Sequence, residues 1–115
     1  MLEISQKDFD SIVKITLEQI EQLLLIKGKE YVRNNDPLHN FNVTANYNKE
    51  HQAKSLHGML SKHLTSYLDM LDDIELSDKD INLDKINEKF GDILVYFILQ
   101  KVIFVVDFNN KNNLK

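Results

Sequence analysis

The sequence predicts an all-α fold, a bundle of three long helices at about residues 6–33, 48–73 and 83–107. Apolar residues recur at steps of three and four along each of these segments, which places them on one face of a helix. Almost no segment has the alternating pattern of a strand. The length of 115 residues is typical of one domain, so we expect a single all-α unit, residues 1–115, with a frayed tail at 109–115.

The first helix has a start signal, and a turn signal follows it. Ser5 precedes Asp8 by three residues, the spacing of a capping box in which the serine hydroxyl accepts a hydrogen bond from a backbone amide. Pro37 disfavours helical geometry at Asp36, and the asparagines around it favour turns, so we expect a connector at residues 34–48. The apolar stripe of the first helix comprises Phe9, Ile12, Val13, Leu17, Ile20, Leu23 and Leu24.

The second helix has two different faces. We expect its apolar face to be buried, and this face carries Leu56, Met59, Leu60, His63, Tyr67, Leu68 and Leu71. Small and polar residues occupy the other face in place of long charged ones and leave room beside it: Ser55, Gly58, Lys62, Ser66 and Asp69. Glycine costs about 1 kcal/mol relative to alanine within a helix, so Gly28, Gly58 and Gly91 predict either close helix packing or a nearby pocket.

The third helix is apolar nearly all round between residues 90 and 108. Asp92, Gln100, Lys101 and Asp107 interrupt it too often for a membrane span. A helix of this kind belongs in a buried position. Two other helices can shield it only partly. We therefore expect a homodimer or a higher homo-oligomer whose second subunit completes the core. The alternative is a monomeric three-helix bundle with a few exposed apolar residues.

The composition argues against several classes of function and of cellular location. A net charge of −4 argues against duplex nucleic acid as a partner. The chain has no cysteine for a disulfide or a thiolate metal site, and its mixed polar start is unlike a signal peptide, so we expect a cytoplasmic protein. Thirteen lysines and twelve asparagines against one arginine suggest AT-rich coding, as in a low-GC bacterium or its phage. A phage protein would act in the host cytoplasm.

Candidate metal ligands lie at the start of the third helix. Glu88 and Asp92 are one helical turn apart, and paired carboxylates at this spacing are a common way to hold Mg²⁺ together with substrate phosphates. Lys62, Ser66 and Asp69 form a similar column on the second helix. Asp92 stands among apolar residues and needs a cation, and without a metal Lys62 is the partner that we predict.

The segment KGKEYVRNNDPLHNFN, residues 27–42, is the candidate ligand-binding segment. It combines cations, asparagines and aromatic rings around the only proline. Cations bind phosphate, an aromatic ring stacks on a base, and an asparagine reads its edge. The alternative is a capped helix end with Phe41 in the core. The candidate residues are Lys27, Tyr31, Arg33, Asp36, His39, Asn40 and Phe41, together with Lys62, His63 and Asp69.

The stretch EKFGDILVYFI, residues 88–98, resembles the second acidic motif of the MazG-like all-α nucleoside triphosphate pyrophosphohydrolases, in which an acidic stretch ending in Gly-Asp opens an apolar helix. KGKEYVRNNDPLHNF and SLHGMLSKHLTSYLDML are similar to small phage proteins of that superfamily, the nucleotide-modification-associated type. The resemblance covers about residues 20–106. It implies a bundle, usually dimeric, in which acids and Mg²⁺ hold a nucleoside triphosphate that is cut between its α and β phosphates. By position, it assigns the metal to Glu88 and Asp92.

The chain also departs from the family pattern. Lys89 stands where the family has another acid, and Lys62 and His63 stand where the preceding helix carries a pair of glutamates. A site with fewer acids should hold Mg²⁺ more weakly and meet phosphate directly.

Three hypotheses follow from these patterns. The first is a nucleotide-binding protein without catalysis, in which Lys27, Arg33, Lys62 and His63 neutralise phosphate. The second is a Mg²⁺-dependent pyrophosphohydrolase with Mg²⁺ on Glu88 and Asp92. The third is a phage anti-defence protein, which sequesters a signalling nucleotide or inhibits a host protein through its helical surface.

Overall fold

Four α-helices make up the regular structure of residues 1–76 and 80–112, the part of the chain that the computed structural model describes: α1 (Gln6–Tyr31), α2 (His39–Asn48), α3 (Gln52–Leu76) and α4 (Leu83–Lys111). The all-α class is confirmed. The three predicted long helices correspond to α1, α3 and α4, but the short helix α2 was not predicted, so the chain is not the three-helix bundle expected from the sequence. Helix α4 continues through residues 109–111, the first part of the predicted tail, and residues 113–115 lie outside the described residues.

Side-chain caps start the two longest helices. The Ser5 hydroxyl accepts a hydrogen bond from the Asp8 backbone N–H at 3.1 Å, as its spacing predicts. The side-chain oxygen of Asn82 accepts from the Lys85 N–H at 2.8 Å and starts α4. Both caps satisfy amides that have no partner within the helix.

Helix α2 corrects the connector predicted at residues 34–48. Only the first part of that segment is a turn, where Asn34 and Asn35 take left-handed backbone angles of φ 54° and 63°. From His39 onward the chain is helical because Phe41 and Ala45, one turn apart, are both buried, and α2 packs against α3. Burial of this apolar face outweighs the turn preference of the asparagines.

The core lies between α2, α3 and α4, around Phe41, Leu56 and Leu60. Helices α3 and α4 are antiparallel, since the Gln100 side chain donates a hydrogen bond to the Ala53 carbonyl while the Tyr67 ring lies 5.8 Å from the Phe90 ring.

Three predictions for α3 are wrong. Leu68 and Leu71 are exposed, and Ser55 is buried, with its hydroxyl donating to Glu50 Oε2 at 2.9 Å.

Helix α1 packs against α4 only along its second half. Ile20 is buried, whereas every residue of the helix before Thr16 is exposed, including the predicted core residues Phe9, Ile12 and Val13. The single chain is therefore elongated, with extents of 50 × 32 × 25 Å and a radius of gyration of 17.2 Å. A compact chain of this length would have a radius of gyration of about 13 Å.

Helix α4 is only partly buried within one chain, in agreement with the expectation that two other helices shield it only in part. Its C-terminal half exposes several large apolar side chains, among them Phe97, Phe104 and Phe108. Among the described residues, no helix combines the length and the apolar character needed to cross a membrane.

The glycines give a first testable prediction. A Cβ on Gly91 would lie 2.8 Å from Leu23 Cδ1, whereas a Cβ on Gly58 would meet nothing within 4 Å. We expect Gly58→Ala to raise the free energy of unfolding by about 0.5–1 kcal/mol through helix propensity. Gly91→Ala should stabilise less than Gly58→Ala or destabilise, because Leu23 must move. Urea denaturation of both variants tests this, and a larger gain at Gly91 would contradict the close approach of α1 and α4.

Candidate functional site

A cluster of ionisable side chains lies where α1, α3 and α4 meet. Asp92 of α4 is shared by two side chains: Lys27 Nζ of α1 lies 3.7 Å from Oδ1, and His63 Nδ1 of α3 lies 3.5 Å from Oδ2. The three side chains are 21–29% exposed, so they are shielded yet open to solvent. We call Lys27, His63 and Asp92 the Asp92 cluster.

The helix crossing places these side chains together. Gly91 lets the Leu23 side chain of α1 approach the α4 backbone. Lys27 is one helical turn beyond Leu23, so its side chain reaches Asp92, the residue next to Gly91. On the other side, the His63 ring packs against Tyr96, with ring centroids 5.1 Å apart, and Tyr96 is one turn beyond Asp92 on α4. Each partner of Asp92 is thus positioned by an apolar or aromatic contact.

Lys62, the partner predicted for Asp92, is exposed, and the neighbouring His63 takes that place. Successive residues on a helix point about 100° apart, so only one of the two can face α4. Both contacts to Asp92 are longer than the 2.7–2.9 Å typical of a charge-assisted hydrogen bond. The carboxylate therefore attracts the two side chains without binding either one closely.

The predicted metal ligands form only a pair. Glu88 is 65% exposed at its side chain and lies 3.8 Å from Lys89 Nζ. Asp69 lies in a different cleft with Ser66 and Lys85. Within residues 1–76 and 80–112, no group of three or more His, Cys, Asp or Glu side chains is close enough to hold a metal ion. Two carboxylates, one already facing Lys27 and His63, do not fit a resident Mg²⁺ ion, which takes six oxygen ligands.

An apolar cleft of about 950 Å³ lies between α1 and α4 beside the Asp92 cluster. Its volume is at the upper end of the range for small-molecule sites, which is about 300–1,000 Å³. Glu88 and Gly91 border it on the side of Asp92, and its apolar walls include Ile12, Ile15, Ile26, Ile86, Phe90 and Leu94. A ligand with a charged end and a flat apolar body would match this combination of cleft and charges.

The residues predicted within segment 27–42 have different environments. Lys27 belongs to the Asp92 cluster, Arg33 is exposed, and His39 and Asn40 are half-buried on α2. Phe41 is completely buried in the core and has no surface for stacking on a base. The side chain of Tyr31 lies outside the described residues.

Asp36 has a structural role that its position beside Pro37 only partly indicates. Its Oδ2 accepts a hydrogen bond from Asn42 Nδ2 at 3.0 Å, and its Oδ1 accepts from the Leu38 N–H at 2.9 Å. These two hydrogen bonds lower the pKa of the Asp36 carboxyl below its ordinary value. The Asn42 side-chain oxygen in turn accepts from Gln52 Nε2, so the chain of contacts joins the α1–α2 turn to α3.

This lowered pKa predicts a pH effect. Stabilisation by ionised Asp36 is complete above the pKa of the unfolded chain, about 4, and is lost as the pH falls through the lower pKa of the folded chain. We expect Asp36→Asn to weaken this dependence, because an asparagine side chain does not titrate in this pH range. Thermal unfolding between pH 2 and 7 measures it. The exposed Asp72→Asn is the control, and equal acid sensitivity of the two variants would contradict the prediction.

Comparison with known proteins gives no relative: no family model, no curated protein and no solved structure matches the chain. The likeness to MazG-like enzymes therefore rests on the sequence motifs alone. A functional proposal therefore depends on the Asp92 cluster and on the apolar cleft beside it.

Proposed function

We propose that the protein is a homo-oligomeric binding protein for a phosphorylated small molecule, a nucleotide, held between α1, α3 and α4. The observation that carries the proposal is the Asp92 cluster, because Lys27 and His63 both face Asp92, and Asp92 follows Gly91 in the wall of a large apolar cleft. The motif likeness to MazG-like proteins supports the same ligand class.

In this proposal the phosphate of the ligand binds at the Asp92 cluster and its nucleoside binds in the apolar cleft. The ammonium group of Lys27 and the imidazole of His63 donate hydrogen bonds to phosphate oxygens. The base and sugar enter the apolar cleft, which Phe90 lines with an aromatic side chain. Asp92 keeps the two donors close together in the absence of ligand. Its negative charge favours ligands that bring a cation with the phosphate.

The homo-oligomer is part of the proposal. One chain leaves the first half of α1 and the outer face of α4 exposed, and a surface this apolar is typical of a protein interface. A second copy of the chain would cover it, as the apolar character of α4 predicts.

Thermal-shift measurements with nucleoside mono-, di- and triphosphates and cyclic dinucleotides test the ligand, each with and without Mg²⁺. A ligand of the folded state at 100 times its Kd adds about 2.7 kcal/mol to the free energy of unfolding. We expect Lys27→Ala to weaken binding by about tenfold or more, since a hydrogen bond to a charged group contributes about 1.5–3 kcal/mol. Lys29→Ala, an exposed lysine on the same helix, is the matched control.

A panel without any shift would refute the nucleotide proposal. It would favour the hypothesis that the chain inhibits a host protein through its helical surface, which the exposed apolar side chains also support. Equal loss of binding in the Lys27→Ala and Lys29→Ala variants would show that the ligand does not bind at the Asp92 cluster.

A second candidate is a Mg²⁺-dependent pyrophosphohydrolase, and the shared helix face of Glu88 and Asp92 favours it. These two carboxylates would need ligand phosphate oxygens to complete the coordination of an incoming ion. Release of pyrophosphate from a nucleoside triphosphate, abolished by Asp92→Asn, would establish this activity. Binding without pyrophosphate release would restrict the protein to the first proposal.

A further inference from the structure

Helix α4 carries a regular row of large side chains that begins with Phe90 and Leu94 in the wall of the α1–α4 cleft. The row comprises Phe90, Leu94, Phe97, Lys101, Phe104 and Phe108, and we call it the phenylalanine seam. Its steps alternate between four and three residues, which is the heptad spacing of helices that pair along their length. The four phenylalanines are 41–59% exposed although they are among the largest apolar side chains of the chain.

The seam extends along most of α4 and is widened by neighbouring apolar side chains. It extends from Phe90 to Phe108, about 27 Å of helix. Half-exposed phenylalanines present about 100 Å² each, so the four together present about 400 Å², comparable to the largest apolar patch on a typical monomer. Ile98, Val102 and Val105 are 40–44% exposed and widen the patch on one side. A standard interface buries about 800 Å² per partner, so an interface of this size would include the apolar side chains beside the seam as well as the seam itself.

Lys101 indicates how two copies would be oriented. In a parallel pair with matching register, Lys101 would face Lys101 of the other copy, and the two charges would repel each other inside an apolar seam. In an antiparallel pair with its two-fold axis at Leu99, Lys101 faces Phe97, Phe104 faces Leu94 and Phe108 faces Phe90. An ammonium group over a phenylalanine ring is an attractive contact.

We infer that the phenylalanine seam binds a second copy of this chain in an antiparallel α4–α4 pair. This inference rests on the homo-oligomer of the proposed function and assigns its interface. The pair also brings Phe108 of each copy to Phe90 of the other, which lines the α1–α4 cleft. Each ligand cleft is therefore completed at one edge by the second copy.

Light scattering of the full chain in solution tests the interface. We expect a particle of twice the 13.5 kDa chain mass, and a 13.5 kDa particle for the Phe97→Glu/Phe104→Glu variant. Leu68→Glu is the control, since Leu68 is 59% exposed on α3, and it should remain dimeric. A monomeric wild type would overturn the homo-oligomer itself. A glutamate variant that stays dimeric would overturn only the seam.

Cysteine cross-linking tests the orientation with milder substitutions, in a chain that has no native cysteine. An oxidised mixture of the Phe97→Cys and Lys101→Cys variants should give a covalent dimer, whereas neither variant alone should, because a disulfide needs Cα atoms within about 7 Å. A covalent dimer of Lys101→Cys with itself would overturn the antiparallel arrangement. Ligand binding is measured by a separate thermal shift, so its failure would not affect these results.

Discussion

Replacing Phe41 by alanine is expected to lower the free energy of unfolding by about 3–5 kcal/mol. Phe41 is 0% exposed and contacts the core formed with Leu56 and Leu60. Truncation leaves a cavity that the surrounding helices fill only in part. Since domains have a total stability of about 5–15 kcal/mol, this one change would remove a large share of it. Urea denaturation followed by circular dichroism measures the loss.

The matched control is Tyr47→Ala on the same helix. Tyr47 is 86% exposed, so its removal should change the free energy of unfolding by less than about 0.5 kcal/mol. Equal effects of the two substitutions would show that α2 does not pack against α3. Residues 34–48 would then be the connector that their asparagines and proline predict.

The long helices could be predicted from the sequence because their signals are local. Ser5 caps α1 through the residue three positions later, and the apolar periodicity of α3 and α4 extends over many turns. Helix α2 could not be predicted in this way. Its ten residues are too few for a stable isolated helix, and it depends on the burial of Phe41 and Ala45 by α3.

The candidate site could be predicted only in part, for a related reason. Helical spacing places Glu88 and Asp92 on one face, and the glycine before Asp92 signals a close approach by another helix. The partners of Asp92 depend on which faces of α1 and α3 turn toward α4, and this is decided by packing far apart in the sequence. Lys27 and His63 are 65 and 29 residues from Asp92, which no local pattern connects.

Removing the carboxylate of Asp92 is expected to have the second largest effect. Asp92→Ala leaves the half-buried Lys27 and His63 without their anion, and we expect a loss of about 1–3 kcal/mol in the free energy of unfolding. Lys27→Met keeps most of the apolar stem and should cost less. The double variant should cost about as much as Asp92→Ala alone, because the Lys27 charge has little value without Asp92. The exposed Asp72→Ala serves as the control.

The wild type, the two single variants and the double variant form a thermodynamic cycle. This cycle separates the charge interaction between Lys27 and Asp92 from the effect of lost packing. Non-additivity of the two single changes is the coupling free energy between Lys27 and Asp92, and urea denaturation at neutral pH and low salt measures it. Additive losses would mean that the two charges do not interact in solution. Lys27 would then have no fixed position beside His63 from which to bind a phosphate, and the proposed binding function would lose the observation that carries it.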